Sequence, residues 1–331
     1  MKTHHAQDVF FSIVIPTRNR IEQLSFLLSE LEKQTFRNFE VLIVDDSSLQ
    51  QVRDQYPQFV NNYSFETRLL LTGRAGEPGR GAAFSRNWGA QNATGKYIGF
   101  IDDDDYWHDY SHLHTAALVT ENEKYELYIA NQRGISSDGE IVIPNWMYEI
   151  APYLSSWQSL GNNVYQASKQ AFLSNMDFFP HINILIVRKD FFQRLGGMRN
   201  EMTHHEDMEF AIRAIDHSSH IAFNYNIVST HNIPDRSKKM SLSSLLDEKE
   251  IQLKILEASN RLAIDCITKE GKKYGKSRAG GALKKLSLYA KSQGEYRNAL
   301  RFALRALVSQ PTLKWLAYSG YISLRTFFAG K

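Results

Sequence analysis

Apolar residues along the first hundred positions gather into short continuous runs, separated by stretches with helical spacing. Phe10–Ile15 is such a run, closed by Pro16, and reads as a strand buried on both faces. Ile21–Gln34 follows with leucines at 24, 27, 28 and 31, the spacing of one helix face. Phe39–Val44 is a second buried strand and ends in Asp45-Asp46-Ser47-Ser48, residue types that cap the next helix. A short strand is expected at Leu69–Leu71, a glycine-rich loop from Gly73 to Gly81, a helix over Ala82–Ala93 and a strand over Tyr97–Ile101. Repeated strand–helix units imply an α/β fold: a mostly parallel sheet with helices on its faces.

The pattern then changes. Asn145–Phe179 is aromatic and irregular, Ile182–Val187 reads as another buried strand, and Met208–Ile215 continues His204-His205-Glu206-Asp207 as a helix. Beyond Asp235–Lys239 the periodicity becomes wholly helical, over Leu242–Ile267 and Ala282–Val308, so a boundary is expected near Lys239, giving domains 1–240 and 241–331. The 331 residues, 43% hydrophobic and 23% charged, suit about two globular domains. A net charge of +3 conceals an asymmetry: Ser241–Lys331 carries 17 Lys and Arg against 7 Asp and Glu, and the rest 22 against 29. A basic tail on an acidic body points to two different partners. The single Cys266 excludes a disulfide framework and a cysteine-rich zinc site. Met1–Ser12 lacks the apolar core of a signal peptide, and no stretch approaches the ~20 apolar residues of a membrane span. The expected location is cytoplasmic, at most peripheral on the cytoplasmic face of the inner membrane.

Four consecutive aspartates, Asp102–Asp105, follow the strand at Tyr97–Ile101. Clustered carboxylates at a strand end repel one another and call for a cation; the plain alternative is a solvated acidic turn. Asp45-Asp46 and Glu206-Asp207 are two further acidic sites at a strand end and a helix start. Strands of a parallel sheet share one carboxyl edge, so the first two groups meet there, and the third joins them if its helix starts beside that edge. The set suits a nucleoside diphosphate with a divalent metal: one carboxylate for the base or ribose, one for the cation, one left as a base.

Ile13–Arg20, Gln34-Thr35-Phe36 and Glu40–Ser48 resemble the amino-terminal signature of glycosyltransferase family 2. Ser85–Gly89, Ala93–Ile98 and Phe100–Trp107 resemble its central signature with the DXD-type motif, and Gly196–Arg199 with Glu206–Arg213 its acceptor-side signature. The resemblance spans residues 9 to 235. It implies a GT-A fold and inverting transfer of a sugar from a nucleotide-sugar, with UDP expected, to a hydroxyl of a glycan or lipid-linked acceptor in bacterial surface polysaccharide synthesis. By the same resemblance, Pro16, Thr17 and Arg18 line the base pocket, Asp46 accepts a hydrogen bond from the base, and Arg86 approaches the ribose or diphosphate. Asp102 and Asp103 face the donor, Asp104 ligates Mn²⁺ or Mg²⁺ with His231 beside it, and Asp207 is the general base, Glu206 being its competitor. Glu206, His205 and Trp157 are candidate acceptor contacts.

Some residues depart from the pattern or stand outside it. Arg18 occupies a place where an aromatic residue is common, so its guanidinium plane would do the stacking. His108 and His112 share a helical spacing that zinc ligands use, although surface histidines are the plainer expectation. Neither a phosphate-loop Gly-x-x-x-x-Gly-Lys nor a dinucleotide fingerprint is present. Leu283–Pro311 resembles one tetratricopeptide unit, which alone makes a helical hairpin and not a solenoid. The lysine cluster from Lys269 to Lys285 and the aromatic segment Leu313–Phe328 fit a contact with an anionic membrane surface, and no nucleic-acid recognition motif accompanies them. Two other functions remain open at this point: a sugar nucleotidyltransferase, and a non-catalytic membrane adaptor on a transferase fold.

Overall fold

The computed structural model describes residues 8–59, 62–174, 179–234 and 246–329. They form two compact units, one ending at Ile233 and one starting at Pro234. The boundary expected at Lys239 lies outside the described residues.

In chain order the first unit contains β1 (Phe11–Thr17), α1 (Ile21–Leu31), β2 (Phe39–Asp45), α2 (Gln50–Arg53), β3 (Glu66–Leu71), α3 (Ala82–Asn92), β4 (Tyr97–Phe100), β5 (Tyr106–Trp107), α4 (His112–Thr120), β6 (Leu127–Ile135) and β7 (Ile141–Ile143). It continues through β8 (Gln158–Gly161), β9 (Val164–Ala167), α5 (Lys169–Ser174), β10 (Leu185–Arg188), α6 (Lys189–Arg194), α7 (Glu206–His217) and β11 (Ile221–Asn232). One sheet runs in the order β3-β2-β1-β4-β10-β6-β11-β9-β8, with β5 added to β11 and β7 to β6. β1, β2, β3 and β4 are parallel, with Val14 opposite Leu42 on one side and Phe100 on the other. The continuous apolar runs of β1, β2 and β4 are buried along their length, as both-face burial requires.

The structure departs from the sequence expectation beyond β4. Ile182–Val187 is not one strand: a 3₁₀ turn occupies Ile182–Ile184, and β10 then runs antiparallel between β4 and β6. β6 and β11, parallel to each other, have only the short apolar runs Leu127–Ala130 and Ile221–Phe223 before polar residues take over. Their interior positions include Asn131, Gln132, Asn224 and Thr230, all buried. Asn131 donates to Asn145 and accepts from the Met147 backbone, and Asn224 donates to the Tyr128 hydroxyl. Such bonds make buried polar side chains tolerable and conceal a strand from hydropathy. The aromatic segment Asn145–Phe179 is likewise structured, with a 3₁₀ helix at Tyr148–Ser156, the β8–β9 hairpin and α5.

The second unit is helical: α8 (Glu248–Asp265), α9 (Lys269–Ser292), α10 (Tyr296–Ser309) and α11 (Leu313–Ala329). Asp247 and Glu250 form a capping box at the start of α8, and the Thr268 hydroxyl caps α9. The helical stretch over Ala282–Val308 divides into α9 and α10, a hairpin, because Gly294 at φ +76° closes α9 with the paired bonds Glu295 N to Ala290 O and Gly294 N to Lys291 O. Leu283, Leu286, Ala303, Ala306 and Trp315 pack as its core. No helix among the described residues is long and apolar enough to cross a membrane.

Candidate active site

The site is built from the carboxyl ends of the parallel strands. β1 ends at Thr17, paired with Asp45 of β2, and β4 ends two residues before Asp102. The turns after β1 and β2 are tied together: the Ser48 hydroxyl accepts from Asn19 N at 2.8 Å, and Asn19 Oδ1 accepts from Leu49 N at 2.8 Å. Asn19 and Ser47 hold positive φ there (56° and 63°), and so does His205 (61°) just before α7. Such backbone is costly for non-glycine residues and persists where the surroundings enforce it.

Asp45 and Asp46 divide their work. Asp45 is buried against Arg53 and the Tyr56 hydroxyl, a structural anchor. Asp46 holds the glycine-rich loop: its Oδ1 accepts from the Thr72 hydroxyl and Arg80 N at 2.8 Å each, and its Oδ2 from Gly81 N at 2.9 Å. A carboxylate accepts about four hydrogen bonds, so capacity remains for one more. Pro16 is half-buried and Arg18 exposed at the same edge, with Arg18 Nη2 donating to Glu77 O at 3.0 Å.

The four aspartates have four different environments. Asp102 receives a bond from Arg86 Nη2 at 2.5 Å, and its backbone N–H donates to Asn183 Oδ1. Burial opposes its charge, but Arg86 and the neighbouring histidines hold its pKa below the usual carboxylate value. Asp103 accepts from the Thr17 hydroxyl and from Arg20 Nη1. Burial nevertheless pushes it up to about 6. Asp104 also pairs with Arg20, at 2.7 Å. Burial, then the charges of Asp105 and Asp103, push it up to about 7. Asp105 is buried: its Oδ1 accepts from Asn232 N at 2.7 Å, and its Oδ2 from His231 Nδ1 at 2.8 Å and from the Asn183 side chain.

Arg86 was expected at the ribose or diphosphate. It is buried between two carboxylates, with Nη2 on Asp102 and Nη1 on Glu206 at 2.9 Å. It therefore fastens the start of α7 to the end of β4. Glu206 is pushed up by burial and by Asp207 despite that pairing. Glu206, Asp207 and Glu209 occupy the first turn of α7, where the helix dipole favours anions. Asp207 lies 3.7 Å from His181 Nε2.

A divalent cation fits this set of donors. One ligand atom from each of Asp105, His181 and His231 lies within 4.8 Å of the others, and His181 Nδ1 is buried without a hydrogen-bond partner. The bonding within the group distinguishes the roles. Asp105 accepts a hydrogen bond from His231 Nδ1, as a carboxylate behind a metal-bound histidine does, so that Nε2, once it loses its own proton, would be the ligand atom. Burial opposes the charge of His231, yet Asp105 raises its pKa to about 9. Asp104 keeps the most exposed carboxylate of the Asp103–Asp105 trio and suffers like-charge repulsion that a cation relieves. Burial and His231 hold His181 below its usual value.

Trp157 is stacked between Tyr153 and Phe172, with Phe223 at its edge. The tryptophan beside the histidines is Trp146, edge-on to His231 at 5.5 Å and to His181 at 6.3 Å. His112 is no surface residue and no partner of His108. It is buried between Trp107 and Tyr128, and burial lowers it to about 4. His108 Nδ1 pairs with the Thr230 hydroxyl. Arg20, His181, Asn183 and Asn232 are site residues that the sequence reading missed. Asn183 carried a signal: it is a polar break inside the apolar run Ile182–Val187, and its side chain orients both Asp102 and Asp105.

Residues 12–196 match the profile of Glycosyl transferase family 2. An uncharacterized glycosyltransferase of Haemophilus influenzae is 26% identical over 215 residues, 65% of this chain and 65% of that one. TarS of Staphylococcus aureus, a poly(ribitol-phosphate) β-N-acetylglucosaminyltransferase, is 30% identical over 145 residues, 43% of this chain and 24% of TarS. The chain thus matches less than two thirds of the length of either relative. The crystal structure of TarS 1–349 in complex with UDP-GlcNAc superposes with a TM-score of 0.66 at 17% identity, covering 97% of this chain and 89% of that one. The mannosyltransferase PcManGT of Pyrobaculum calidifontis, in complex with GDP-Man and Mn²⁺, gives 0.57 at 14% identity, covering 97% and 87%. The GT-A architecture expected from the motifs is therefore present. With most of its first unit matched in sequence and the site motifs on the strand ends, this chain belongs to glycosyl transferase family 2.

Proposed function

We propose that the protein is a metal-dependent, inverting glycosyltransferase that moves a sugar from a nucleotide-sugar, with UDP as the favoured nucleotide, to a hydroxyl of a glycan or lipid-linked acceptor in surface-polysaccharide synthesis. The observation that carries this reading is the convergence of Asp46, Asp102–Asp105, His231 and Asp207 at the carboxyl edge of the parallel strands. TarS in complex with UDP-GlcNAc and PcManGT with GDP-Man and Mn²⁺ support the donor class and the metal.

Pro16, Thr17, Arg18 and Asp46 would hold the base. The loop that Asp46 anchors closes over it, and Asp102 and Asp103 face the ribose. Asp104 and His231 Nε2 would hold the cation, Mn²⁺ or Mg²⁺, which when bound supplies charge stabilisation for the departing diphosphate. Asp207 takes the proton of the acceptor hydroxyl as its oxygen bonds to the anomeric carbon, and the bond from that carbon to the diphosphate oxygen breaks on the opposite face. Glu206 is the poorer base, because its Oε1 is already engaged by Arg86. His205 and Glu206 would lie on the acceptor side of Asp207, and the nearness of Trp146 to His231 supports it as a sugar contact over Trp157, whose ring is stacked between Tyr153 and Phe172.

A thermal-shift series of nucleotide-sugars with and without Mn²⁺ tests the donor and the metal together. A ligand that binds only the native state raises its apparent stability, so one donor should raise Tm only when metal is present. Release of free nucleoside diphosphate on transfer is the expected product; pyrophosphate would instead mean nucleotidyl transfer.

A further inference from the structure

Helix α11 is apolar on two opposite faces, and the helices of its own unit cover only one. Trp315 and Ile322, one helical face, pack into the core with Leu283, Ala303, Ala290 and Ala299. On the far side, Leu313, Leu316, Leu324, Phe327 and Phe328 recur at helical spacing and are 87%, 55%, 63%, 65% and 67% exposed. Ala317 and Gly320 fill the gaps in that stripe, and no charge interrupts it. Lys314 and Arg325 stand on its flank beside Tyr321, whose ring lies 5.8 Å from the Arg325 guanidinium. An exposed stripe of large apolar side chains this long is unusual on a soluble surface and marks a contact.

The charge around it selects the partner. Glu295 is the last acidic residue of the chain; the 36 positions after it carry six Lys and Arg and no Asp or Glu. Two copies of the chain meeting through this stripe would bring like charges together with no carboxylate on the helix to offset them. A helix not long and apolar enough to span a bilayer, with one exposed apolar face and only the positive charges Lys314 and Arg325 of its own, suits the interface of a membrane with anionic headgroups. We propose that the outward face of α11 seats the protein on an anionic lipid surface, with Leu313, Leu316, Leu324, Phe327 and Phe328 at the acyl boundary and Lys314 and Arg325 at the headgroups. The surface stands on its own chemistry; only its purpose, bringing the enzyme to a lipid-linked acceptor, rests on the proposed transfer.

Co-sedimentation of the full chain with phosphatidylglycerol-containing and with phosphatidylcholine vesicles tests this. The wild type should bind the anionic vesicles, about tenfold more weakly as salt is raised through the physiological range, and should bind the zwitterionic ones feebly. The Leu324→Glu/Phe327→Glu variant should lose about tenfold or more of that binding. Because it alters only exposed side chains, its thermal melt should match the wild type; a Lys314→Glu/Arg325→Glu variant, which leaves the apolar stripe whole, should weaken binding to anionic vesicles alone. Equal binding by wild type and both variants overturns the proposal. So does a wild type that ignores vesicles but is a dimer by light scattering, turned monomeric by Leu324→Glu/Phe327→Glu. The nucleotide-dependent thermal shift should be the same in all variants, so loss of vesicle binding and failure of the transferase reading are told apart.

Discussion

At the scale of single residues the site is a set of carboxylates kept apart in role by their partners. Asp45, Asp102 and Asp105 are committed to Arg53, Arg86 and His231, whereas Asp104 faces only Arg20 and its own kind. Its pKa of about 7 has a stability consequence. A carboxyl whose folded-state pKa lies above its unfolded value near 4 contributes stability below that value, and loses it as pH rises toward 7. Asp103, at about 6, acts in the same direction. In the metal-free protein, Asp104→Asn should therefore raise Tm by a few degrees at pH 8 and change it little at pH 4; equal shifts at both values would contradict the repulsion argument. The residue types of the acidic run were plain in the sequence. Which aspartate serves which partner was not, because Arg20, Asn183 and His231 reach the run from positions 81 to 126 residues away along the chain.

At the scale of elements, apolar runs foretold β1, β2 and β4, since burial on both faces leaves an unbroken hydrophobic signature. The same rule missed β6 and β11, whose buried asparagines and threonine are hydrogen-bonded inside the sheet or at its edges. His231 sits near the end of β11, so missing that strand also concealed how it approaches Asp105. Two glycines show close approach between elements. A Cβ at Gly79 would stand 2.2 Å from Arg18 Nη1 and 2.5 Å from Asp46 Oδ2. Gly79→Val should displace both groups and weaken nucleoside diphosphate binding by about tenfold, measured by calorimetry, while the thermal melt stays near wild type. A Cβ at Gly275 of α9 would lie 2.5 Å from Ala263 N and 2.7 Å from Ser259 O of α8, both backbone atoms that cannot swing aside. Gly275→Val should cost about 2 kcal/mol or more of stability by chemical denaturation and leave nucleotide binding unchanged.

At the scale of the whole molecule, the strand-end unit is acidic and the helical unit basic. The first carries the profile match on which the family membership rests, with the acidic residues at its strand ends. The second ends in a helix with an uncovered apolar face that hydropathy alone could not separate from core, because both faces of α11 are apolar and only packing tells which is buried. The central claim is that the two acidic groups divide the chemistry, Asp104 with His231 for the metal and Asp207 for the acceptor proton. Asp207→Asn removes the base and leaves every donor contact named above in place. The decisive measurement is transfer and donor binding side by side for that variant. Transfer should fall by about a hundred- to ten-thousandfold with the donor dissociation constant unchanged; transfer at the wild-type rate, or an equal loss of donor binding, would contradict the account.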